Sequence, residues 1–473
     1  MASNTTTALT QLQTLLPDKT LTPSTSTPYQ AALTTPWSQT CWTPAAGYIQ
    51  ISTIDDLTTA LSIIQKTGCK FSVRTTGHNP NVGFSSADET AIVLDIRQLK
   101  TMELTPDGTA RVGAGCTWGE VYTWLEGQKL SAIGGRDPQV GLGGFLLGGG
   151  MGALPNLHGL GADNVKNFEV LLANGTLLNA NPTTNPDLYH VLKGGGSNFG
   201  IITHFTIQTY PLIPIQYNIT LYQPTDHTAI NEATVSVQNA MASDPKIGLF
   251  TNFNNGFVAV GLLYSHQPSP ASTSNSLPVV FDPFQKVKSM MTAVPLTNGT
   301  ILSLAQAMGH AQEAKKRAIS TVTTRVSVAL YEEVYKVWNE VKETLPEGCI
   351  LHYTIQPMGE NGVREGMHRG GNIMGLKGVE QCWWVFTCEW PNECDDIAAQ
   401  QAVETMSERV QTLAQERDLL LDFKCMTFAT GLQKVLESYG EDNVKKMKEV
   451  AGKYDPEGVF QKLQFGGFLL RDL

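Results

Sequence analysis

Residues 134–152 read Gly-Gly-Arg-Asp-Pro-Gln-Val-Gly-Leu-Gly-Gly-Phe-Leu-Leu-Gly-Gly-Gly-Met-Gly, nine glycines in nineteen positions. No other segment limits the possible folds as strongly. Without Cβ atoms the backbone can approach a ligand closely, and successive N–H groups can converge into an anion-binding concavity. A flexible low-complexity loop is the plain alternative. It fails because Val140, Leu142, Phe145, Leu146, Leu147 and Met151 are interleaved with the glycines and would be costly to leave in water. The run belongs in a packed site, and a diphosphate is its natural guest.

A doubly wound dinucleotide fold is the first competitor. Gly148-x-Gly150-x-x-Ala153 has the spacing, and Glu169 follows near the distance of a ribose-binding acid. The context is wrong, because Pro155, Gly159 and Gly161 stand where a helix should run. Lys193-Gly194-Gly195-Gly196-Ser197 has the wrong order for a P-loop, and Ser197 is not in a G-x-S-x-G elbow. No H-E-x-x-H or C-x-x-C occurs, so no metal site is expected.

At 473 residues, with 41% hydrophobic and 16% charged residues, the chain is globular and long enough for more than one domain. A net charge of −10 argues against nucleic acid or an anionic membrane surface as partner. No window offers the roughly 18 apolar residues of a membrane span. The start, Met-Ala-Ser-Asn-Thr-Thr-Thr, lacks a basic n-region and an apolar h-region, so a cytoplasmic location is expected unless a leader has been removed. The eight cysteines are too sparse for a disulfide scaffold, and several sit in apolar runs as buried thiols. Sequons at Asn4, Asn174, Asn218 and Asn298 do not decide the compartment, since a chain rich in Asn and Thr produces some by chance.

Glycine is dense over 113–200 and sparse over 212–360, which places a boundary near 212. Before it, hydrophobic periodicity predicts a helix over 55–67, strands at 73, 92–96, 110–112 and 168–172, and a short helix over 120–126. After it, strands are expected over 217–222, 247–252 and 257–264, with Asn254-Asn255-Gly256 turning the last hairpin. Helices follow at 300–317, 326–345 and 395–417, with strands over 350–356 and 382–390 between them, and residues 266–283 form a Ser/Pro-rich surface loop. Strands then helices in this order point to an antiparallel sheet with helices on one face. One more helix falls within 444–473, and the Phe465-Gly466-Gly467-Phe468 tail is expected to pack against the body.

Just after the apolar run 69–73 comes Arg74-Thr75-Thr76-Gly77-His78-Asn79-Pro80-Asn81, a polar turn that presents a histidine. Alone, His78 reads equally as a solvent-exposed turn residue. The order of motifs is more specific. Arg74-x-x-Gly77-His78 is followed by Gly141-x-Gly143-Gly144-x-x-x-Gly148-Gly149-Gly150-x-Gly152, then Gly159-Leu160-Gly161-Ala162-Asp163-Asn164-Val165. Next come Glu169-Val170-Leu171-Leu172-Ala173-Asn174-Gly175 and Lys193-Gly194-Gly195-Gly196-Ser197-Asn198-Phe199-Gly200, and the chain closes with Tyr454-Asp455-Pro456-x-Gly458-Val459-Phe460-Gln461. This series resembles the vanillyl-alcohol oxidase superfamily of flavoproteins. Within it the chain is similar to the berberine-bridge-enzyme-like FAD-linked oxidoreductases, in particular a fungal branch of secondary metabolism.

The resemblance implies an α+β, two-domain vanillyl-alcohol-oxidase-like fold. A discontinuous FAD-binding domain would comprise 1–212 and 430–473. A substrate domain, 213–429, would carry an antiparallel sheet flanked by helices. His78 would bond covalently to the flavin 8α carbon. FAD would also lie against Arg74, Thr75, Thr76, Gly77, Asn79, Asn81, Gly83, Asp137, Val140, Gly141, Gly143, Gly144, Gly148, Gly149, Gly150, Gly161, Asn164, Gly200 and Ile202. Many relatives place a second, cysteinyl attachment where this chain has Asp137, so a single histidyl link is expected. Many also carry a tyrosine where this chain has Phe428, so a tyrosinate base is unavailable there.

The implied activity is an FAD-dependent oxidation: a hydride passes from substrate to flavin N5, and O2 re-oxidises the flavin. Catalytic candidates are Tyr353, His352, His368, Asn372 and Glu389. Alternation on 382–390 puts Trp383, Val385, Thr387 and Glu389 on one face, and Cys382, Trp384, Phe386, Cys388 and Trp390 on the other. Which face meets the flavin stays open. Phe428, Trp384 and Phe145 are the substrate-binding candidates, and the aromatic supply favours an apolar or polycyclic small molecule over a sugar. The expected partners are that substrate and O2, with the chain as a monomer. A flavin-containing cyclase or isomerase, and a flavin-binding protein without catalysis, are the alternatives.

Overall fold

The computed structural model describes residues 3–266, 276–309 and 313–473. Among these residues, four sheets form, and helices cover one face of the largest. The expected surface loop at 266–283 falls partly outside the described residues, as does the middle of the helix expected over 300–317.

The first half holds three small sheets, one of them only the pair Leu130–Ser131 and Tyr210–Pro211. In one, Gly47–Gln50 and Lys70–Arg74 flank Ala91–Asp95 in parallel. Parallel strands need a crossover, and the helix Ile54–Thr67 supplies it. Its start is set by a capping box between Thr53 and Asp56 and its end by Gly68 in the left-handed conformation. Leu57, Ala60, Leu61 and Ile64 face the sheet and are fully buried. The second sheet is antiparallel, ordered Met102–Leu104, Ala110–Gly113, Ile201–Ile207, Val165–Leu171, Leu177–Ala180. Here Glu169 binds Arg111 and lies 3.2 Å from His204. The acid that mimicked a ribose binder is a cross-strand partner.

The second half forms an eight-stranded antiparallel sheet. Its order is Ser289–Thr300, Pro214–Tyr222, Phe257–Ser265, Ile247–Asn254, Ile350–Met358, Gln381–Trp390, Lys316–Arg325, Leu420–Leu421. The helices His227–Ala240, Val328–Lys342 and Asp396–Gln415 pack on one face. Val328–Lys342 illustrates why: Leu330, Val334, Val337, Trp338 and Val341 recur at helical spacing and are buried, while Ser327 accepts a hydrogen bond from the Leu330 N–H at its start. The strands Ser289–Thr300 and Lys316–Arg325 were not expected. Lys316–Arg325 overlaps the helix expected over 300–317 at its last two positions, and Ile301–Met308 is the helical part of that segment among the described residues. The strand's Thr-rich run pairs along its whole length with Gln381–Trp390.

The tail packs as expected. The Phe465 N–H donates to Phe71 O at 2.7 Å, and Asn198 donates from Nδ2 to Phe468 O at 2.9 Å. Phe468 meets Phe84 edge-on. No helix among the described residues is long and apolar enough to cross a membrane.

Candidate flavin and substrate site

The turn after Lys70–Arg74 and the glycine run face each other directly. A Cβ on Gly141 would meet the Thr76 side chain at 2.7 Å, and one on Gly143 the Thr75 side chain at 2.5 Å. Glycine is required here because two backbones share one narrow space. Gly144, one residue on, is exposed and would meet nothing. The side chains of Thr75, Thr76, His78 and Asn79 are partly accessible along the same edge. The buried indole N–H of Trp37 has no hydrogen-bond partner among the described residues. A tight, open-edged cradle of this kind fits a flavin nucleotide.

His78 is held by stacking: its imidazole lies on the Trp37 indole, centroids 4.4 Å apart and 13° from parallel. On the other side of this pair stands Arg317, its guanidinium carbon 4.2 Å from the Trp37 ring centroid. Arg317 Nη1 donates to Trp37 O at 2.7 Å, and Arg317 Nε donates to Glu389 Oε1 at 2.7 Å. The segment carrying His78 is thereby joined to the eight-stranded sheet.

The register of that sheet decides which side chains reach the cradle. Antiparallel partners point to the same face. Thr387 faces His352 and Ile319, Glu389 faces Arg317, Trp383 faces Gln356, and Asn252 pairs with Thr354. This face turns away from the helices: Gly248 abuts the Ala153 backbone and Arg136 reaches Gln356. Asn252 Nδ2 donates to His352 Nδ1 at 3.1 Å and to Thr354 Oγ1 at 2.8 Å, which places the proton of a neutral His352 ring on Nε2. Burial acts to raise the pKa of Glu389, but Arg317, His352 and Lys315 together hold it below the usual carboxylate range.

Several sequence-based assignments are corrected. Tyr353 and Trp384 lie on the opposite face, among the helices. Tyr353 is fully buried, stacked on Phe253 at 4.7 Å, and Trp384 donates from Nε1 to Thr324 Oγ1. Strand alternation puts them one step out of phase with the site. Phe145 is core: it meets Trp118 edge-on and fills the space over Gly150 and Gly161. His368 ends the helix Glu360–His368 with an exposed ring near Glu365. Asn372 donates to Asp163 Oδ1 at 3.0 Å and accepts from the Met374 N–H, so it pins a loop. Arg74 is turned inward to Ala32 O, Ser85 O and Asp95, and braces the turn from behind.

The remaining residues of the FAD set support the cradle. The N–H groups of Gly161 and Ala162 donate to Gly150 O and Gly149 O, and Asn164 donates to His158 O and Leu160 O. Gly148, Gly149 and Gly150 are closed over by Thr427, Met374 and Phe145. Asn81 ties the turn to Ala429 and Gly431, Gly83 lies beneath Phe465, and Gly200 and Ile202 lie in or beside the strand paired with Val165–Leu171. Asp137 Oδ1 accepts the Gln139 N–H at 2.8 Å, capping its own turn, and Val140 follows, half-buried beside Gly135. Phe428 closes the short 3₁₀ turn Met426–Phe428, half-buried. Among the described residues no cluster could hold a metal ion.

Trp37, Arg136, Asn252, Thr354, Gln356 and Arg317 escaped the sequence reading. Only Arg136, inside the glycine run, carried a local signal: a cation amid glycines.

A family model described as an FAD binding domain matches residues 45–181. The chain is 34% identical over 444 residues to an FAD-dependent monooxygenase of Arthrobotrys oligospora, covering 93% of this chain and 85% of that one. It is 31% identical to an FAD-dependent monooxygenase of Penicillium terrestre, covering 93% and 84%. Among solved structures, glucooligosaccharide oxidase from Acremonium strictum, described with a 6-S-cysteinyl, 8α-N1-histidyl FAD, superposes with a TM-score of 0.76 at 17% identity, covering 92% of this chain and 94% of that one.

Proposed function

The chain belongs to the berberine-bridge-enzyme-like FAD-linked oxidoreductases of the vanillyl-alcohol oxidase superfamily, and we propose that it oxidises an apolar, polycyclic small molecule with O2 as final electron acceptor. One observation carries the reading: the His78 turn and the Glu389 face of the sheet meet through Trp37 and Arg317. The proposed division of the chain, 1–212 with 430–473 against 213–429, puts the reaction at that junction.

The FAD, held by Thr75, Thr76, Gly77, His78, Asn79, Gly141, Gly143 and Gly144, supplies a two-electron acceptor. His78 is proposed as its only covalent tether. Asp137 supports this, because a carboxylate that caps a turn stands where the second, sulfur link would need a cysteine.

The chain's own groups handle the proton. Glu389 is a weak base, since Arg317 stabilises its charged form. His352 is the better acceptor. Its ring shares the face of Thr387 and Glu389. The ring takes the substrate's proton at Nε2 once the Asn252 amide turns over and accepts a hydrogen bond from Nδ1–H. Trp383, Val385 and Ile319 supply apolar surface on the same face.

The two relatives named as monooxygenases favour a second reading, transfer of oxygen into the product. No relative reported above is named a cyclase, and the redox reading is the one supported. A monomer in a reducing, cytoplasmic compartment fits eight cysteines that form no disulfide.

The test is anaerobic titration of the yellow enzyme with polycyclic phenols and alcohols, followed by 18O2 turnover. Bleaching with peroxide release supports the oxidase, and label in the product supports the monooxygenase. Failure of every apolar candidate, with bleaching by oligosaccharides, overturns the substrate class. His352→Asn should lower kcat and remove the acidic limb of its pH profile.

A further inference from the structure

Among the described residues the buried cations have carboxylate partners, whereas the half-buried Arg136 at the site does not. Arg74 has Asp95 at 3.9 Å, Lys193 has Asp163 at 3.9 Å, and Arg317 has Glu389 at 2.7 Å. Arg136 has none among the described residues. Its side-chain hydrogen bond is donated from Nη2 to Oε1 of Gln356, a neutral amide. The ionisable group beside it is Cys425, whose thiol burial pushes up to about 11, so it is uncharged at neutral pH. Burial also pushes the guanidinium down to about 10, which still leaves it protonated. A desolvated cation without a counter-ion is unfavourable, and the cost persists unless an anion completes the site.

The position of Arg136 says where that anion comes from. The residue precedes Asp137 in the glycine run, and Gln356 belongs to the row that includes Trp383 and faces the cradle. Arg136 also lines a small cavity of about 10 Å³ with Ile133, Leu154, Ile301, Leu304 and Ala305, none of them an acid. Arg136 keeps partial accessibility, so a ligand can reach it. The guanidinium fork suits a planar oxygen anion.

We propose that Arg136, oriented by Gln356, is a specificity-determining residue that binds an anionic oxygen of the substrate, a phenolate, enolate or carboxylate carried on an apolar ring system. This rests on the functional reading above and narrows its substrate class. Neutral polycycles would leave the cation unpaired and bind weakly.

The experiment uses flavin-loaded enzyme and two probe pairs, 4-nitrophenolate against 4-nitroanisole and benzoate against benzamide, with binding followed by calorimetry. The wild type should bind each anion at least tenfold tighter than its neutral counterpart. For 4-nitrophenol the affinity should rise with pH as the phenol ionises. Arg136→Met should abolish the preference, Arg136→Lys should keep part of it, and Gln356→Leu should weaken it several-fold. The lysine and leucine variants carry the test if the methionine variant does not fold. Equal binding of anion and neutral probe, or a preference that survives Arg136→Met, overturns the proposal. So does a shift in flavin reduction potential with selectivity unchanged, which would assign the cation to the flavin. The visible spectrum of each preparation tests the flavin site separately: wild type without bound flavin would refute the underlying reading, whatever the probes do.

Discussion

The indole of Trp37 stacks on the imidazole of His78 at 4.4 Å, nearly parallel, and Arg317 covers the same indole from the sheet. A ring held on one face keeps fewer orientations, and a covalent bond forms faster when the attacking ring is already aimed. His78→Ala should leave all flavin extractable by acid. Trp37→Ala should lower the covalently bound fraction several-fold while leaving flavin binding measurable. Full attachment in Trp37→Ala, by absorbance of the acid pellet, would show that the stack does not position the ring.

The Arg317–Glu389 pair has a definite pH signature. The folded pKa of Glu389 is depressed, so its stabilisation is complete above the ordinary carboxylate range and is lost as pH falls through the folded value. Glu389→Gln leaves Arg317 buried without its charge partner and should cost about 1.5–3 kcal/mol at neutral pH. Thermal denaturation across acidic pH should show the gap between wild type and variant closing on acidification.

Glu169 gives a second such window. Burial raises its pKa, but hydrogen bonds from Arg111 and His204 outweigh this and lower it from 4.5 to about 2. Its stabilisation is present above pH 4.5 and declines as the pH approaches 2. Glu169→Gln should lower Tm at pH 6 and have little effect near pH 2. Nucleotide affinity unrelated to fold stability should not change, which separates the cross-strand role from ribose binding.

Two glycines with similar backbone angles should respond differently to alanine. Gly150 has φ +75° and a Cβ there would strike the Phe145 ring at 2.4 Å, whereas Gly108 has φ +82° and open space. Gly108→Ala bears only the left-handed backbone cost, about 1–2 kcal/mol. Gly150→Ala adds overpacking, for a total of about 2–5 kcal/mol. Equal denaturation midpoints for the two variants would contradict the close packing under the glycine run.

Much of this architecture is legible one segment at a time. The helix Ile54–Thr67 announces itself by its capping box, its i, i+3, i+4 apolar spacing and Gly68. The hairpin at Asn254-Asn255-Gly256 is written in its turn residues. Lys316–Arg325 is not legible in this way, because its ten residues have no turn signal beside them; pairing with a strand some 65 positions away decides its form.

The candidate site divides in the same way. The sequence by itself determined the family and singled out the glycine run and the His78 turn as candidates for the flavin site, because tight turns and glycine motifs are local and their spacing is visible in the chain. Only the tertiary structure decided which face of the sheet looks into the site. A strand shows its two faces with a period of two, and nothing local distinguishes inside from outside when both are apolar. That single choice removes Tyr353 and Trp384, keeps His352, and brings in Asn252 and Gln356. Arg136 depended on it too: a cation within a glycine run is an ordinary loop residue until the fold shows that no carboxylate is folded against it.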